Sequence, residues 1–119
     1  LDPVISLIFY NNYSHTSVAL FYDVQCIDVL TVVNSESSQK IVIMVDQLLE
    51  NHNLVLGDCS FFGVYQGPGP FTTLRVVIAS VNGLAYAAKI PLIGINGLVA
   101  FAYLHYNKAT DYTVVLLNA

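Results

Sequence analysis

Charge is the scarcest commodity in this chain. Of 119 residues, four are Lys or Arg and eight are Asp or Glu, giving a formal net charge of −4. The four cations, Lys40, Arg75, Lys89 and Lys108, make no basic footprint, which argues against a free-standing nucleic-acid binder. Tryptophan is absent and methionine occurs once. Cys26 and Cys59 are too few for a disulfide framework and read as free buried thiols in a reducing cytoplasm. No apolar run is read as long enough to span a bilayer, and no basic region precedes an apolar core at the N-terminus, so neither a membrane span nor a signal peptide is expected. The chain starts at Leu1 rather than Met, which suggests trimming or an incomplete sequence.

What is present in excess is apolar surface: 55% of residues are hydrophobic and only 10% charged. One domain of this length can bury a core. Its own surface, however, needs polar cover that so few charges do not supply. A face covered by a partner is the expectation.

The stretch Gly67-Pro68-Gly69-Pro70-Phe71-Thr72-Thr73-Leu74-Arg75 carries the densest local punctuation. Ser60 to Tyr65 upstream is of strand length. Leu74 to Ala88 downstream contains one charge and no Pro, so the reading is strand, tight glycine loop, then a buried helix. Ala79, Gly83 and Ala87 recur every four residues along one face, with Ser80 beside them. Such a stripe admits a second backbone, while Val77, Val81 and Leu84 suit packing on a sheet. Arg75 falls in the first turn, where the helix dipole disfavours a cation. It is read either as part of an internal salt bridge or apolar stem contact, or as a contact to a partner's carboxylate.

Taken in order, Val4 to Phe9, Thr16 to Tyr22 and Gln25 to Val33 read as three antiparallel strands, the last two joined by a hairpin-length gap at Asp23-Val24. A helix follows from Gln39 to about Asn51, with Ser37 or Ser38 as N-cap. In it Ile41, Met44, Val45 and Leu48 form an apolar face that Val42, Ile43 and Leu49 widen. This helix too is expected to be buried on two sides, the alternative being one broad interface. Asn53 to Cys59 is a loop. Lys89 and Pro91 close the long helix, Leu92 to Ile95 is a strand, Gly97 to Tyr106 a helix capped by Asn96, and Tyr112 to Leu117 a last strand. The order β-β-β-α-β-α-β-α predicts an α/β fold: a mixed sheet flanked by helices, half of an actin-like or ribonuclease-H-like architecture.

The loop sequence resembles the glycine-proline-glycine-serine-phenylalanine-threonine-glycine-leucine-arginine signature of the bacterial TsaB (YeaZ) family. The likeness extends to Ala85, to Ile90-Pro91-Leu92-Ile93-Gly94-Ile95, to Ser17-Val18-Ala19-Leu20 and to Met44-Val45-Asp46-Gln47-Leu48-Leu49. The resemblance implies a cytoplasmic, non-catalytic scaffold in threonylcarbamoyl modification of adenosine 37 of tRNA. It implies two actin-like lobes, a catalytic TsaD-like partner, a TsaE-like ATPase that joins them, and self-pairing into a homodimer in isolation. Contacts are expected through the helices near 38–51 and 71–88. The interface set is Ile41, Met44, Val45, Leu48, Arg75, Ala79, Ser80, Gly83 and Ala87, with Gly67, Pro68, Gly69, Pro70, Phe71 and Thr72 as the motif loop. Residues 1–110 would be the first lobe and 111–119 the start of a truncated or absent second one.

Departures from the family pattern bear on chemistry. The aspartate-threonine-serine that ends the family's first strand is matched by Tyr10-Asn11-Asn12, which makes a metal-dependent phosphate site improbable. Pro70 replaces a serine and Thr73 a glycine. The loop lacks the lysine and Ser/Thr pair of a P-loop, although amides at a helix start attract anions. His15, His52 and His105 show no paired metal-ligand spacing, and neither cysteine has an evident histidine partner. Asp46 and Glu50 share a helix face, as a solvated strip or as a rim contact to a partner. No catalytic residue, metal or cofactor is expected. The competing reading is an actin-like nucleotide-binding ATPase or an M22-type glycoprotease homologue.

Overall fold

A computed structural model describes residues 2–104, with side chains through Ala100. Three strands, β1 (Ile5–Asn11), β2 (His15–Tyr22) and β3 (Gln25–Val33), form an antiparallel meander. Their β-branched and aromatic content suits a pleated, half-buried surface. The β2–β3 turn is closed by Asp23 in the left-handed region (φ 54), where a short polar side chain is tolerated. Asp23 Oδ1 accepts from Val4 N at 2.9 Å.

Helix α1 (Ser37–Glu50) leads into β4 (Phe61–Tyr65), which pairs parallel with β1, and α2 (Phe71–Ala88) leads into β5 (Leu92–Ile95), parallel with β4. The strand order is β3-β2-β1-β4-β5. Helix α3 (Gly97–Leu104) follows, and Asn96 Oδ1 accepts from Val99 N at 3.1 Å, as expected of an N-cap. The predicted strand Tyr112 to Leu117, the helix tail beyond 104 and His105 lie outside the described residues.

One face of the sheet carries the core. Leu7, Phe9, Val18, Leu20 and Phe62 are fully buried, and the Phe9 and Phe62 rings meet edge-on at 5.6 Å. Ile41, Met44, Val45, Leu48 and Leu49 from α1 join Val77, Val81 and Ala85 from α2 in the same cluster. Both helices therefore lie side by side on that face, α1 over β2 and β3 and α2 over β1 and β4.

Several expectations need correction. Neither Ser37 nor Ser38 caps α1. A 3-10 turn at Asn34–Glu36 runs straight into the helix, Glu36 holds the cap position, and the Ser37 hydroxyl donates to Asn34 O at 2.9 Å. Cys59 is buried but Cys26 is exposed, because β3 is an edge strand with only one neighbour. The loop before β4 contains a 3-10 turn at Leu56–Asp58.

Candidate functional site

The glycine loop leaves β4 with Gly67 at φ +108, a backbone conformation that only glycine adopts without strain. The Gly67-Pro68 peptide is cis. Tyr65 donates its hydroxyl proton to Pro68 O, and Gly97 N donates to Gly67 O at 2.7 Å, so the loop is tied to both β4 and α3. A Cβ on Gly97 would sit 2.5 Å from Gly67 O, which makes glycine obligatory there. Pro70 occupies the cap position of α2 in extended conformation, and its carbonyl accepts from Leu74 N at 2.8 Å. Phe71 and Thr72 open the helix on its exposed side; Pro68, Gly69 and Pro70 are half-buried.

The strand ends beside this loop are filled by protein. Tyr10 and Tyr65 meet edge-on at 4.8 Å, and burial, followed by the nearby Tyr10 and Tyr13 hydroxyls, pushes the Tyr65 phenol up from its usual pKa. Asn11 is fully buried; its Nδ2 donates to His15 O at 3.1 Å and to Asn34 Oδ1 at 2.8 Å, clamping the β1–β2 turn to the approach to α1. Its Oδ1 is buried beside Gly69 without a protein partner. An acceptor oxygen facing the loop repels phosphate, so the geometry here fits a structural turn better than an anion cradle.

The outward side of α2 is different in kind. Phe71, Thr72, Arg75, Ala79, Asn82, Gly83, Tyr86 and Ala87 are exposed and Ser80 is half-buried. Phe71 is 71% and Tyr86 89% exposed. Phe71, Arg75, Ala79, Gly83 and Ala87 follow one another at four-residue spacing, so they form a single row. At Gly83 an added Cβ would meet nothing within 4 Å. Glycine in a helix interior costs about 0.5–1 kcal/mol relative to alanine, and no packing among the described residues requires it at this position. Arg75 makes none of the salt bridges among the described residues; its guanidinium lies 5.1 Å from the Phe71 ring centroid.

For α1 the interface expectation fails. Ile41 and Leu48 are 0%, Val45 1% and Met44 4% exposed, because this row faces the chain's own sheet. It is core and unavailable to a partner. The outward side of α1 keeps two apolar residues, Val42 and Ile43, among Lys40, Asp46, Gln47 and Glu50. Lys40 is paired with Glu36 at 3.2 Å. Asp46 and Glu50 line a shallow cleft with Leu54 and Leu56 at the helix end. Sequence reasoning missed Tyr86, the more exposed of the two aromatics of α2, which stands beside the row at i+3 from Gly83.

Residues 71–88 also meet the length and hydropathy expected of a membrane span, with a mean of 1.3, contrary to the expectation that no run does. The helix is nevertheless one layer of a sheet-backed core, with Val77, Val81 and Ala85 buried against strands. Core packing accounts for only part of that hydropathy, since 22% of the span is buried and its other side faces solvent.

Comparison with known proteins gives a consistent result. A family model described as "TsaD: tRNA N6-adenosine threonylcarbamoyltransferase" matches residues 31–119. The tRNA threonylcarbamoyladenosine biosynthesis protein TsaB of Haemophilus influenzae is 34% identical over 86 residues, which cover 72% of this chain and 36% of that protein. The tRNA N6-adenosine threonylcarbamoyltransferase of Clostridium novyi is 35% identical over 89 residues, covering 72% of this chain and 26% of that protein. The structure of YeaZ from Pseudomonas aeruginosa superimposes with a TM-score of 0.72 at 26% identity, covering 86% of this chain and 49% of that one. The chain thus spans less than half the length of each of these relatives.

Proposed function

Since the chain belongs to the TsaD family and, within it, to its TsaB/YeaZ members, with their actin-like, ribonuclease-H-like α/β fold, we propose that it serves tRNA threonylcarbamoyladenosine biosynthesis as a non-catalytic scaffold. In this reading the outward row of α2 docks onto a TsaD-related protein, a TsaE-like ATPase joins the pair, and copies of the chain pair with each other in isolation. The compartment that fits such a role is the cytoplasm.

One observation carries the reading: α2 presents a solvent-facing row of Phe71, Ala79, Gly83 and Ala87 whose Gly83 packs against none of the described residues. Exposed apolar patches of this kind on small proteins mark interaction sites, and small residues let a second helix come close. The interface set becomes Phe71, Arg75, Ala79, Ser80, Gly83 and Ala87, with Tyr86 added and the four α1 core residues removed.

The experiment is co-elution of the full-length protein with its TsaD-related partner on size-exclusion chromatography. Ala79→Glu and Gly83→Leu, both at exposed positions, are expected to abolish the complex while the circular-dichroism melt stays cooperative. A complex that survives both substitutions removes the proposal.

A further inference from the structure

We propose that the Asp28 carboxylate guards the open edge of the sheet and keeps β3 from pairing with the β3 of a second copy. The inference is independent of any contact through α2.

Among the described residues β3, 9 residues long, has a neighbour on one side only. An unpaired edge of that length is a template for another strand. The common protections are sparse here: β3 contains no Pro and no Lys, and Asp28 is its only charged residue. The bulge opposite Leu20 and Phe21 disturbs only the start of the strand. Asn34 N donates to Ser14 O on the β2 side at 3.0 Å. Backbone groups alternate along an antiparallel strand, so Asp28, Leu30 and Val32 also turn theirs to β2. Val29, Thr31 and Val33 therefore offer theirs to the open edge. One of these donors is already taken: Val29 N donates to Asp28 Oδ1 at 2.8 Å, while Asp28 Oδ2 lies 2.9 Å from His52 Nε2. The turn after α1 thus holds a carboxylate across an amide that an incoming strand needs.

The strand that the guard excludes is β3 itself, because its edge is self-complementary. Antiparallel pairing about an axis at Leu30 sets Val29 against the other copy's Thr31, and Thr31 against its Val29. Every outward N–H and C=O of those two residues then finds a partner. The two Leu30 side chains meet over the cleft that Leu30, Val32, Ile43 and Met44 line. In the same register Asp28 falls opposite the other copy's Val32, which offers a carboxylate nothing. Lys40, on that cleft, is already paired with Glu36 at 3.2 Å. To admit the strand, the carboxylate must leave Val29 and His52 and lose water beside an apolar side chain, which is unfavourable. Without Asp28 the strand carries no charge at all, the composition that favours edge-to-edge pairing.

Sedimentation equilibrium of the full-length protein tests this, with every variant carrying Ala79→Glu so that α2 adds no contact. Asp28→Ala is expected to tighten self-association about tenfold or more, the scale of one charge-assisted hydrogen bond. Adding Thr31→Pro is expected to return Asp28→Ala to the monomer, since proline removes an outward N–H and is tolerated on an edge strand. Leu48→Ala destabilises the core but leaves the guard in place, so it is expected to stay monomeric. Asp28→Ala that sediments like its parent overturns the inference. Association that survives Thr31→Pro places the contact elsewhere and overturns it too. Association of Leu48→Ala as strong as that of Asp28→Ala assigns the effect to lost stability, which also overturns it. None of these outcomes bears on the α2 contact, whose test is co-elution with the TsaD-related partner.

Discussion

Asp28 and His52 tie the open edge of the sheet to the turn after α1: His52 Nε2 lies 2.9 Å from Asp28 Oδ2, and Val29 N donates to Asp28 Oδ1 at 2.8 Å. The histidine hydrogen bond, with the backbone one second, holds the Asp28 carboxyl below its usual 3.8. A carboxyl depressed in the folded state adds stability that is present above the unfolded pKa and lost as pH falls through the folded one. Asp28→Asn is thus expected to melt below wild type between about pH 5 and 7. The gap should close on acidifying below 3.8, and a gap that stays constant across thermal melts would show that this hydrogen-bonded contact is not its source. The two thiols give a second residue-scale test. Burial, and then the nearby Asp58 carboxylate, pushes Cys59 up to about 11, whereas Cys26 is exposed on the edge strand. Because the thiolate is the nucleophile, native-state iodoacetamide at mildly alkaline pH is expected to label Cys26 and spare Cys59, read by peptide mass spectrometry. Neither difference was legible in the sequence, since a two-cysteine count does not say which strand ends up at the edge.

At the scale of elements, strand positions were legible because the chain punctuates them well. Gln25–Val33 and Leu92–Ile95 were read to the residue, and the order of elements followed from runs bounded by Asp23, Asn34, Gly67 and Pro91. The face of α1 was not. A row at i, i+3, i+4 and i+7 is the same whether its neighbour is the chain's own sheet or another molecule; only the polar strip of Lys40, Asp46, Gln47 and Glu50 on the other side decides it. Leu48 accordingly belongs to the core, fully buried with Leu7, Phe9 and Val81 in one cluster. Leu48→Ala is expected to cost about 2–5 kcal/mol through lost burial and the cavity left behind, measured by urea denaturation of the isolated chain. An interface residue would instead leave that transition unmoved and change only complex formation. On α2 the sequence indicated the small-residue row, but not the approach of Arg75 to Phe71 or the exposure of Tyr86. Spacing alone does not rank exposure.

For the whole molecule, the scarcity of charge and the geometry of α2 meet in a linkage between stability and assembly. A partner that binds only the folded chain adds RT ln(1 + [L]/Kd), about 2.7 kcal/mol at a hundredfold excess over Kd. For a domain of this size each kcal/mol moves the melting temperature by about 4 °C. Gly83→Ala separates the two terms. Alone, the variant is expected to melt higher, by the about 0.5–1 kcal/mol that an exposed helical glycine forfeits to alanine, since its new methyl meets none of the described residues within 4 Å. With partner present, the same methyl stands in the path of the approaching backbone, so the partner-induced upshift is expected to shrink and the wild type to become the more stable of the two. Differential scanning calorimetry with and without the TsaD-related protein reads both numbers from one pair of samples. If the variant gains stability alone and keeps the full upshift, close approach at Gly83 is not how this chain assembles, and the row on α2 is no more than an apolar surface.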